Sequence, residues 1–205
     1  PLPCLLLDEV DLLVTMPVPK IHAMTGLTLG LKNQWGCIPD RMRLRNHHLF
    51  DQAIVAINAA LLPVVVADGE YFLDENGPMD GTPVAMDLVI AGNNVFAFDR
   101  VVAELMNWDW ASVPHFRAAA RAGLLPRDLA DIQCSCDPRL VSQHRFVLHR
   151  GLRAWIALAG FKSQFVTWFG YESWFGRVVL HRILYAIAGP NVKPAPDDES
   201  GKEEK

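Results

Sequence analysis

Short apolar runs separated by helix-length segments constrain the fold of this chain more than any other feature. The runs Val10–Met16, Val64–Ala67 and Leu88–Ala91 are apolar, largely β-branched and short enough to be buried strands. Three other segments repeat their apolar residues at helical spacing: Leu49–Leu62, Val95–Met106 and Val113–Ala122. Strands that alternate with helices predict an α/β fold with a mainly parallel sheet and flanking helices.

The pattern changes along the chain and predicts three parts. Residues 1–137 carry the α/β pattern and end with a short predicted strand at Ile132–Cys134. Residues 138–190 are predicted to form a helical appendage in which aromatic residues alternate with basic ones. Residues 191–205 are rich in charge and proline, which is typical of a disordered tail.

Charge and hydropathy limit the partners of the protein. The net charge of −4 gives no global attraction to nucleic acid, so no nucleic-acid partner is predicted. The longest uncharged stretch, Gln52–Ala67, is interrupted by Pro63 and is too short for a spanning helix. These features favour a cytoplasmic protein, and the start at Pro1 suggests a truncated or processed N-terminus.

The cysteines do not form a recognisable metal-binding pattern. Cys134 and Cys136 are separated by one residue, unlike the spacing of zinc sites or ferredoxin loops. We therefore predict reduced thiols and no metal site at Cys4, Cys37, Cys134 and Cys136.

The first candidate site combines amines, an imidazole, hydroxyls and an amide within a short stretch. Such groups can converge on a phosphate or carboxylate. Its members are Lys20, His22, Thr25, Thr28, Lys32 and Asn33, on a loop and a helix predicted from Thr25 to Trp35. Alternatively, both lysines are solvated and His22 caps a turn.

A second candidate site follows the predicted strand Val64–Ala67. Asp68 at its end could bind a ligand or act as an acid or base, and the loop predicted at Glu70–Pro83 would approach it closely. The loop contributes Asn76, Gly77 and Gly81. A glycine-rich turn capped by Asp68 is the structural alternative.

Asp99 is the third candidate, because a carboxylate in an apolar helix needs a partner. That partner could be a ligand or only the helix N-terminus. The polar residues that follow three separate strands predict one cleft, with Lys20, His22 and Lys32 on one wall and Asp68 or Asp99 opposite. The adjacent His47 and His48 are interpreted as a surface pair.

The segment Phe146–Tyr185 is the fourth feature. Its aromatic residues exceed what a solvated helix carries, while its charges exclude a spanning segment. The segment is expected to dock on a membrane surface or on a protein.

Three blocks of the sequence together resemble domain-of-unknown-function family 362, over about residues 8–134. The blocks are VDLLVTMPVPKIHAMTGLTLGLKNQWGCIP, VVVADGEYFLDENGPMDGTPV and LVIAGNNVFAFDRVVAELM. The resemblance implies that the characteristic positions are Lys20, His22, Lys32, Asn33, Asp68, Gly77, Pro78, Gly81 and Asp99. It implies neither a reaction nor a cofactor.

This chain departs from the family pattern in two ways. Members usually carry an N-terminal half with a Lys-Pro-Asn block that is absent here. Some are fused to ferredoxin-type cysteine clusters, whose spacing none of these cysteines reproduces.

Two hypotheses of function follow. In the first, the chain binds a small anionic ligand that carries phosphate or carboxylate, with Lys20, His22, Asp68 and Asp99 as candidate catalytic residues. Whether the protein is an enzyme stays open. In the second, it is an accessory module that docks to a membrane surface or to an iron–sulfur redox partner.

Overall fold

The protein is described by a computed structural model, which covers residues 2–40, 43–78, 81–141, 143–150, 154–155, 158, 160, 163–180 and 182–183. The chain divides into two compact units, Pro1–Gln164 and Phe165–Lys205. The predicted division at residues 137 and 138 stays a prediction, and the predicted tail at 191–205 lies outside the described residues.

The elements of the described chain are short at the N-terminus and longer in the middle. The strands are β1 (Val14–Thr15), β2 (Lys20–His22), β3 (Gly26–Thr28), β4 (Val64–Asp74) and β5 (Thr82–Gly92). The α-helices are α1 (Gly30–Asn33), α2 (Phe50–Leu61), α3 (Val95–Leu105), α4 (Pro114–Arg121), α5 (Pro138–Val141) and α6 (Gln164–Tyr171). Helical turns of other types occupy Leu5–Glu9, Gln34–Cys37, Arg43–Leu49, Trp110–Ser112, Leu129–Asp131 and Gly176–Leu180.

The long strand β4 organises the sheet. β1 and β2 lie along one edge of β4 and run parallel to it, whereas β5 pairs with the other edge and runs antiparallel. β3 pairs antiparallel with β2. The sheet is therefore mixed and flanked by helices, which confirms the predicted α/β class.

Several local predictions differ from the structure. The loop predicted at Glu70–Pro83 is wrong at both ends, because β4 continues to Asp74 and β5 begins at Thr82. Asp68 and Gly69 lie within β4 beside a β-bulge whose extra residue is on β5, between Leu88 and Ala85, and Asp68 Oδ1 accepts the Glu70 N–H at 3.1 Å. The Asp-Gly signal therefore marks an irregularity of a continuing strand and not its end.

The helix predicted from Thr25 to Trp35 is also wrong over its first half. Residues Lys20–Thr28 form a tight β-hairpin instead, and only the four residues of α1 are α-helical. The predicted strand Val10–Met16 is reduced to β1, and Ile132–Cys134 is not a strand. The predicted helical character of the appendage fails for residues 143–150, which are extended.

The core of the first unit lies between the sheet and the helices α2, α3 and α4. Ile21, Leu27, Val65 and Phe72 are fully buried from the sheet side. The helices contribute a larger set of fully or nearly fully buried side chains: Ile54, Phe96, Phe98, Val102, Met106, Phe116 and Ala119. Phe146, from the extended segment 143–150, is 2% exposed and lies 5.9 Å from the Phe72 ring between ring centres.

Asp99 of α3 fixes the start of α1. Its Oδ1 accepts the Gly30 N–H at 2.8 Å and its Oδ2 accepts the Leu31 N–H at 3.0 Å. A Cβ atom at Gly30 would lie 2.9 Å from Asp99 Oδ1, so this close approach requires glycine. The carboxylate thus satisfies two N–H groups that a helix N-terminus leaves without partners.

Two asparagines hold the rest of α1. Asn58 of α2 donates its Nδ2–H to the carbonyl oxygens of Leu31 and Ile54, both at 2.9 Å. Asn33 donates from Nδ2 to Thr15 Oγ1 in β1 at 2.7 Å. A helix this short has no stability of its own, so these contacts decide where its side chains lie.

The Asp99 contact leads to a testable prediction. Replacement Asp99→Asn puts an amide N–H against a backbone N–H, and we expect the free energy of unfolding to fall by about 1–3 kcal/mol. Urea denaturation at neutral pH measures this. The matched control is Asp68→Asn on the exposed face of β4, for which we expect a change within about 0.5 kcal/mol. Equal effects of the two substitutions would contradict the proposed role of Asp99 in the fold.

Candidate functional site

The β2–β3 hairpin presents a polar face. Lys20 lies opposite Thr28 and His22 lies opposite Gly26 in the antiparallel pairing. Residues opposite each other, or two apart on one strand, project from the same face. Lys20, His22 and Thr28 therefore share one face of the hairpin, while Ile21 and Leu27 are buried in the core.

Lys32 completes this polar face from α1. Its Nζ donates to Thr28 Oγ1 at 2.9 Å, and its side chain is half-buried. Burial, followed by the nearby Lys20 ammonium, lowers the pKa of Lys32 to about 7. Within the described part of the chain, Lys32 forms no salt bridge with a carboxylate. We call Lys20, His22, Thr28 and Lys32 the cationic cluster.

His22 is a neutral hydrogen-bond donor in this cluster. Its Nδ1 accepts the Met24 N–H at 3.1 Å, which assigns the ring proton to Nε2. Burial, followed by the charges of Lys32, Lys20 and His47, lowers the pKa of His22 to about 3. The imidazole is therefore uncharged at neutral pH, and the positive charge of the cluster comes from the lysines.

His115 of α4 lies beside the cluster and was missed by the sequence analysis. It is fully buried, and its two ring nitrogens have no hydrogen-bond partner among the described residues. Burial lowers the pKa of His115 to about 3, with smaller contributions from Lys32 and His22. A single histidine in an alanine-rich helix gives no sequence signal of such proximity.

The interpretation of His47 as part of a surface pair is wrong. Its ring is half-buried, stacks on Phe50 and meets the edge of Trp35, with ring centres 5.5 Å apart in both contacts. His48, in contrast, is exposed.

A cleft of about 870 Å³ opens next to the cationic cluster. Met24 and Thr25 of the hairpin turn line it, together with His47 and Asp51. The helical and extended segments that follow add aromatic and basic side chains: Trp108, Phe146, Arg117, Arg145 and Arg150. Arg150 Nε donates to the carbonyl oxygen of Ala23 at 2.7 Å and so connects the extended segment to the hairpin turn. The cleft has the size of a site for a small organic ligand.

The structure brings only part of the predicted site together. Lys20, His22, Thr28 and Lys32 converge, and Thr25 lines the adjacent cleft while its hydroxyl donates to the Leu27 carbonyl at 3.1 Å. Asn33, by contrast, is directed to Thr15 and serves the packing of α1 on β1.

Neither predicted carboxylate faces the cationic cluster in a cleft. Asp99 is fully buried and bonded to the start of α1, and burial raises its pKa well above the usual range, against the effect of the two N–H donors. Asp68 is exposed, and it precedes Leu73, the register partner of Lys20, by five positions along β4. That separation corresponds to roughly 16 Å along the strand. Both predictions of an opposing acid are wrong for this reason.

The predicted residues between β4 and β5 support the hairpin. The Gly77 carbonyl accepts the Ala23 N–H at 3.1 Å, and a Cβ atom at Gly77 would lie 2.0 Å from the Ile21 carbonyl oxygen. A Cβ atom at Gly81 would clash with the carbonyl oxygen of Asp74. Asn76 is exposed. The glycines are therefore explained by close backbone approach.

The described residues contain no group of three His, Cys, Asp or Glu side chains that could hold a metal ion. All four cysteines are free, and three of them, Cys4, Cys134 and Cys136, are exposed. Of the helices that the structure describes, none combines the length and the apolar character needed to cross a bilayer.

The second unit exposes large aromatic side chains. Phe165 and Trp174 are 69% and 70% exposed, and Trp168 and Phe175 are also exposed. The Phe165 ring stacks on Phe169 with 6.3 Å between ring centres. We call the exposed residues Phe165, Trp168, Phe169, Trp174 and Phe175 the aromatic surface.

The two histidines with lowered pKa predict a specific pH dependence of stability. Between about pH 6.5 and pH 3 the unfolded chain binds protons at His22 and His115 that the folded chain excludes. The free energy of unfolding should therefore decrease as the pH falls through this range, by up to about 1.4 kcal/mol per pH unit for each histidine. Urea denaturation at pH 7 and pH 4.5 measures the difference.

The variant His115→Phe tests the assignment, because it keeps an aromatic ring in contact with Phe50 and Phe116 and does not titrate. We expect its loss of stability on acidification to be smaller than that of the wild type. The control His48→Gln removes an exposed imidazole and should leave the loss of stability on acidification unchanged. An identical loss in wild type and His115→Phe would show that His115 is protonated equally in the folded and unfolded chains.

Comparison with known proteins adds two relationships. Residues 4–104 match the family described as Domain of unknown function (DUF362). The chain is also 32% identical over 126 residues to the Thylakoid-associated protein sll1697 of Synechocystis sp., an alignment that covers 58% of this chain and 39% of that protein. The chain thus spans about two fifths of the length of this relative.

No solved structure matches the chain. The family match includes the whole cationic cluster, since Lys20, His22, Thr28 and Lys32 all lie within it, and it ends at Glu104, before His115 and most of the cleft. The resemblance to domain-of-unknown-function family 362 is thus confirmed for residues 4–104 of this chain.

Proposed function

We propose that the protein binds a small anion, or an organic molecule bearing a phosphate or carboxylate group, at the cationic cluster. The observation that carries the proposal is the approach of two lysine side chains without a pairing carboxylate. The Lys20 ammonium is close enough to lower the pKa of Lys32, and no described acidic residue forms a salt bridge with either amine. An anion would neutralise this repulsion.

The other groups of the cluster suit the same ligand. His22 offers an uncharged Nε2–H donor, and Thr28 offers a hydroxyl beside Lys32. Neutral and charged donors that surround a partly buried position are the usual means of holding phosphate or carboxylate oxygens. The net charge of the chain is −4, so a cluster of positive charge is a local property of this site.

Sulfate titration tests the proposal, because sulfate does not change its charge between pH 6 and pH 8. Binding should stabilise the charged form of Lys32, whose pKa is about 7, and should therefore take up protons. We expect sulfate to bind about tenfold more tightly at pH 6 than at pH 8, the change in the protonated fraction of a group with that pKa. Isothermal titration calorimetry measures both the affinity and the proton uptake.

Charge-removing variants locate the bound sulfate. Lys20→Gln and Lys32→Gln should each weaken sulfate binding at pH 6 by tenfold or more, since a charge-assisted contact contributes about 1.5–3 kcal/mol. Arg127→Gln removes an exposed positive charge from the loop after α4 and serves as the control. Equal weakening in all three variants would indicate a non-specific charge effect, and undetectable sulfate binding by the wild type would refute the proposal.

We propose as a second candidate function that the protein associates peripherally with a membrane through the aromatic surface. Exposed Trp and Phe side chains are characteristic of proteins that insert at the lipid headgroup level. The exposure of Phe165 and Trp174, at 69% and 70%, favours this candidate. The name of the Synechocystis relative, which describes that protein as thylakoid-associated, is consistent with it.

Co-sedimentation with vesicles of phosphatidylcholine and phosphatidylglycerol tests the second candidate. We expect the wild type to sediment with the vesicles and the double variant Phe165→Ser/Trp174→Ser to remain largely in the supernatant. Val89→Ser removes an apolar side chain that is 82% exposed on β5 and should not change sedimentation. No sedimentation of the wild type at low or at high salt would exclude membrane binding.

A further inference from the structure

We infer that Lys32 is a nucleophile that forms an imine with a carbonyl compound bearing a carboxylate or phosphate group. This inference rests on the proposed anion site and specifies its ligand class. Lys32 is a half-buried amine at the end of a short helix, its Nζ lies 2.9 Å from the Thr28 hydroxyl, and Lys20 and His22 are its other polar neighbours.

The surroundings of Lys32 favour the uncharged amine that such a reaction needs. A lysine becomes nucleophilic at neutral pH when it is desolvated or placed beside another cation. Both conditions hold here, because burial and the Lys20 ammonium lower the pKa of Lys32 to about 7. Roughly half of the Lys32 side chains are therefore unprotonated at pH 7, compared with fewer than one in a thousand for an ordinary lysine.

The neighbouring residues recognise different groups of such a substrate. The Lys20 ammonium attracts the carboxylate or phosphate of the substrate, while the amine of Lys32 attacks its carbonyl carbon. The neutral His22 Nε2–H and the Thr28 hydroxyl are available to donate to the carbonyl oxygen as it gains negative charge. The adjacent cleft of about 870 Å³ provides space for the remainder of the molecule.

The reaction is balanced without an oxidant or reductant. The Lys32 nitrogen forms a bond to the carbonyl carbon, and a proton moves from nitrogen to oxygen to give a carbinolamine. This intermediate loses its hydroxyl group and a second nitrogen proton as water, leaving a carbon–nitrogen double bond. The net change is amine plus carbonyl compound to imine plus water.

Reductive trapping tests the inference on the full chain. Glyoxylate, a small aldehyde with a carboxylate, is added at pH 7 with sodium cyanoborohydride, which reduces an imine to a stable secondary amine. Peptide mass spectrometry then measures the modified fraction at each of the six lysines: Lys20, Lys32, Lys162, Lys193, Lys202 and Lys205. We expect Lys32 to be modified at least tenfold faster than any of the others, and excess sulfate to slow its modification.

Two variants and one second probe separate a reactive site from a merely accessible amine. Lys20→Met should move the pH midpoint of Lys32 modification upward, because it removes the neighbouring charge, whereas the control Arg127→Gln should not. Acetaldehyde, which carries no anionic group, should modify Lys32 at least tenfold more slowly than glyoxylate. Circular dichroism and thermal unfolding of each variant verify that the fold is retained.

The outcomes distinguish this inference from the proposed function. If sulfate binds as expected but glyoxylate modifies Lys32 no faster than the other lysines, the assignment of Lys32 as a nucleophile is refuted and the proposal of an anion site is retained. If glyoxylate and acetaldehyde modify Lys32 equally fast, the requirement for an anionic substrate is refuted. If sulfate neither binds nor protects Lys32, both the anion site and the inference built on it are refuted.

Discussion

The contact of the Asp99 carboxylate with the first two N–H groups of α1 is the interaction on which the candidate site depends. Helix α1 has four residues, too few to be stable alone, yet it carries Lys32. Asp99 binds its N-terminus from α3 at 2.8 and 3.0 Å, and Asn58 binds the Leu31 carbonyl from α2. Two long helices thus determine the position of one short helix and of its lysine.

This anchoring explains how two lysines can remain close together. Like charges repel, and a pair of ammonium groups without a carboxylate lowers stability unless the backbone that carries them is held independently. Here β2 carries Lys20 within the sheet, and α1 carries Lys32 against α2 and α3. Two like charges placed side by side lower the stability of the fold, and such unfavourable arrangements are expected mainly at functional sites.

The same reasoning separates the two predicted acids. The sequence places Asp68 at a predicted strand end and Asp99 in an apolar helix, but it does not show which of the two carboxylates faces a ligand. In the structure, Asp99 is fully buried and bonded to backbone N–H groups, whereas Asp68 is exposed on β4. The first contributes to the fold and the second lies away from the cationic cluster, so neither supplies an acid to the site. An acid that does line the adjacent cleft is Asp51, whose Oδ1 lies 4.0 Å from His115 Nδ1.

Periodicity was sufficient to predict the long helices. The segments Leu49–Leu62, Val95–Met106 and Val113–Ala122 were predicted within one or two residues of α2, α3 and α4, and Asn94 caps α3 by accepting from Phe96 and Ala97. A repeat over three turns is a strong local signal, because one face of each helix is buried against the core.

The short strands were not predictable in the same way. Glycine and proline mark turns in the sequence, but the Asp-Gly pair lies inside β4, beside a bulge of its partner β5, and beyond it the strand is continued by its pairing with β5 and β2. The hairpin of β2 and β3 has only three residues in each strand, so its existence depends on pairing with β4 and not on local preference.

Part of the candidate site was accessible to sequence reasoning, and part of it was not. The lysines, His22 and Thr28 were grouped by their proximity in the sequence, which the hairpin and α1 preserve in space. His115 lies more than eighty positions further on and reaches the cluster only because α4 packs on α2, so its position depends on tertiary structure. Sequence proximity therefore identified the local half of the site.

The two parts of the site also differ in their relation to the family. The cationic cluster lies within residues 4–104, the part of the chain that matches the family. The arginines and most aromatic residues of the cleft belong to the later segments, with Phe146 held by burial and by a hydrogen bond from its N–H to the Met106 carbonyl at 3.2 Å.

A cluster of charged and polar donors recognises a charged group, whereas the shape and apolar surface of a cleft recognise the body of a ligand. If the cluster binds the anionic group, selectivity among anionic ligands must therefore arise largely from residues outside the family match. Substitutions at Arg145 or Trp108 should then change which organic anion is preferred while leaving the affinity for sulfate nearly unchanged, because these residues contact the cleft and not the cluster.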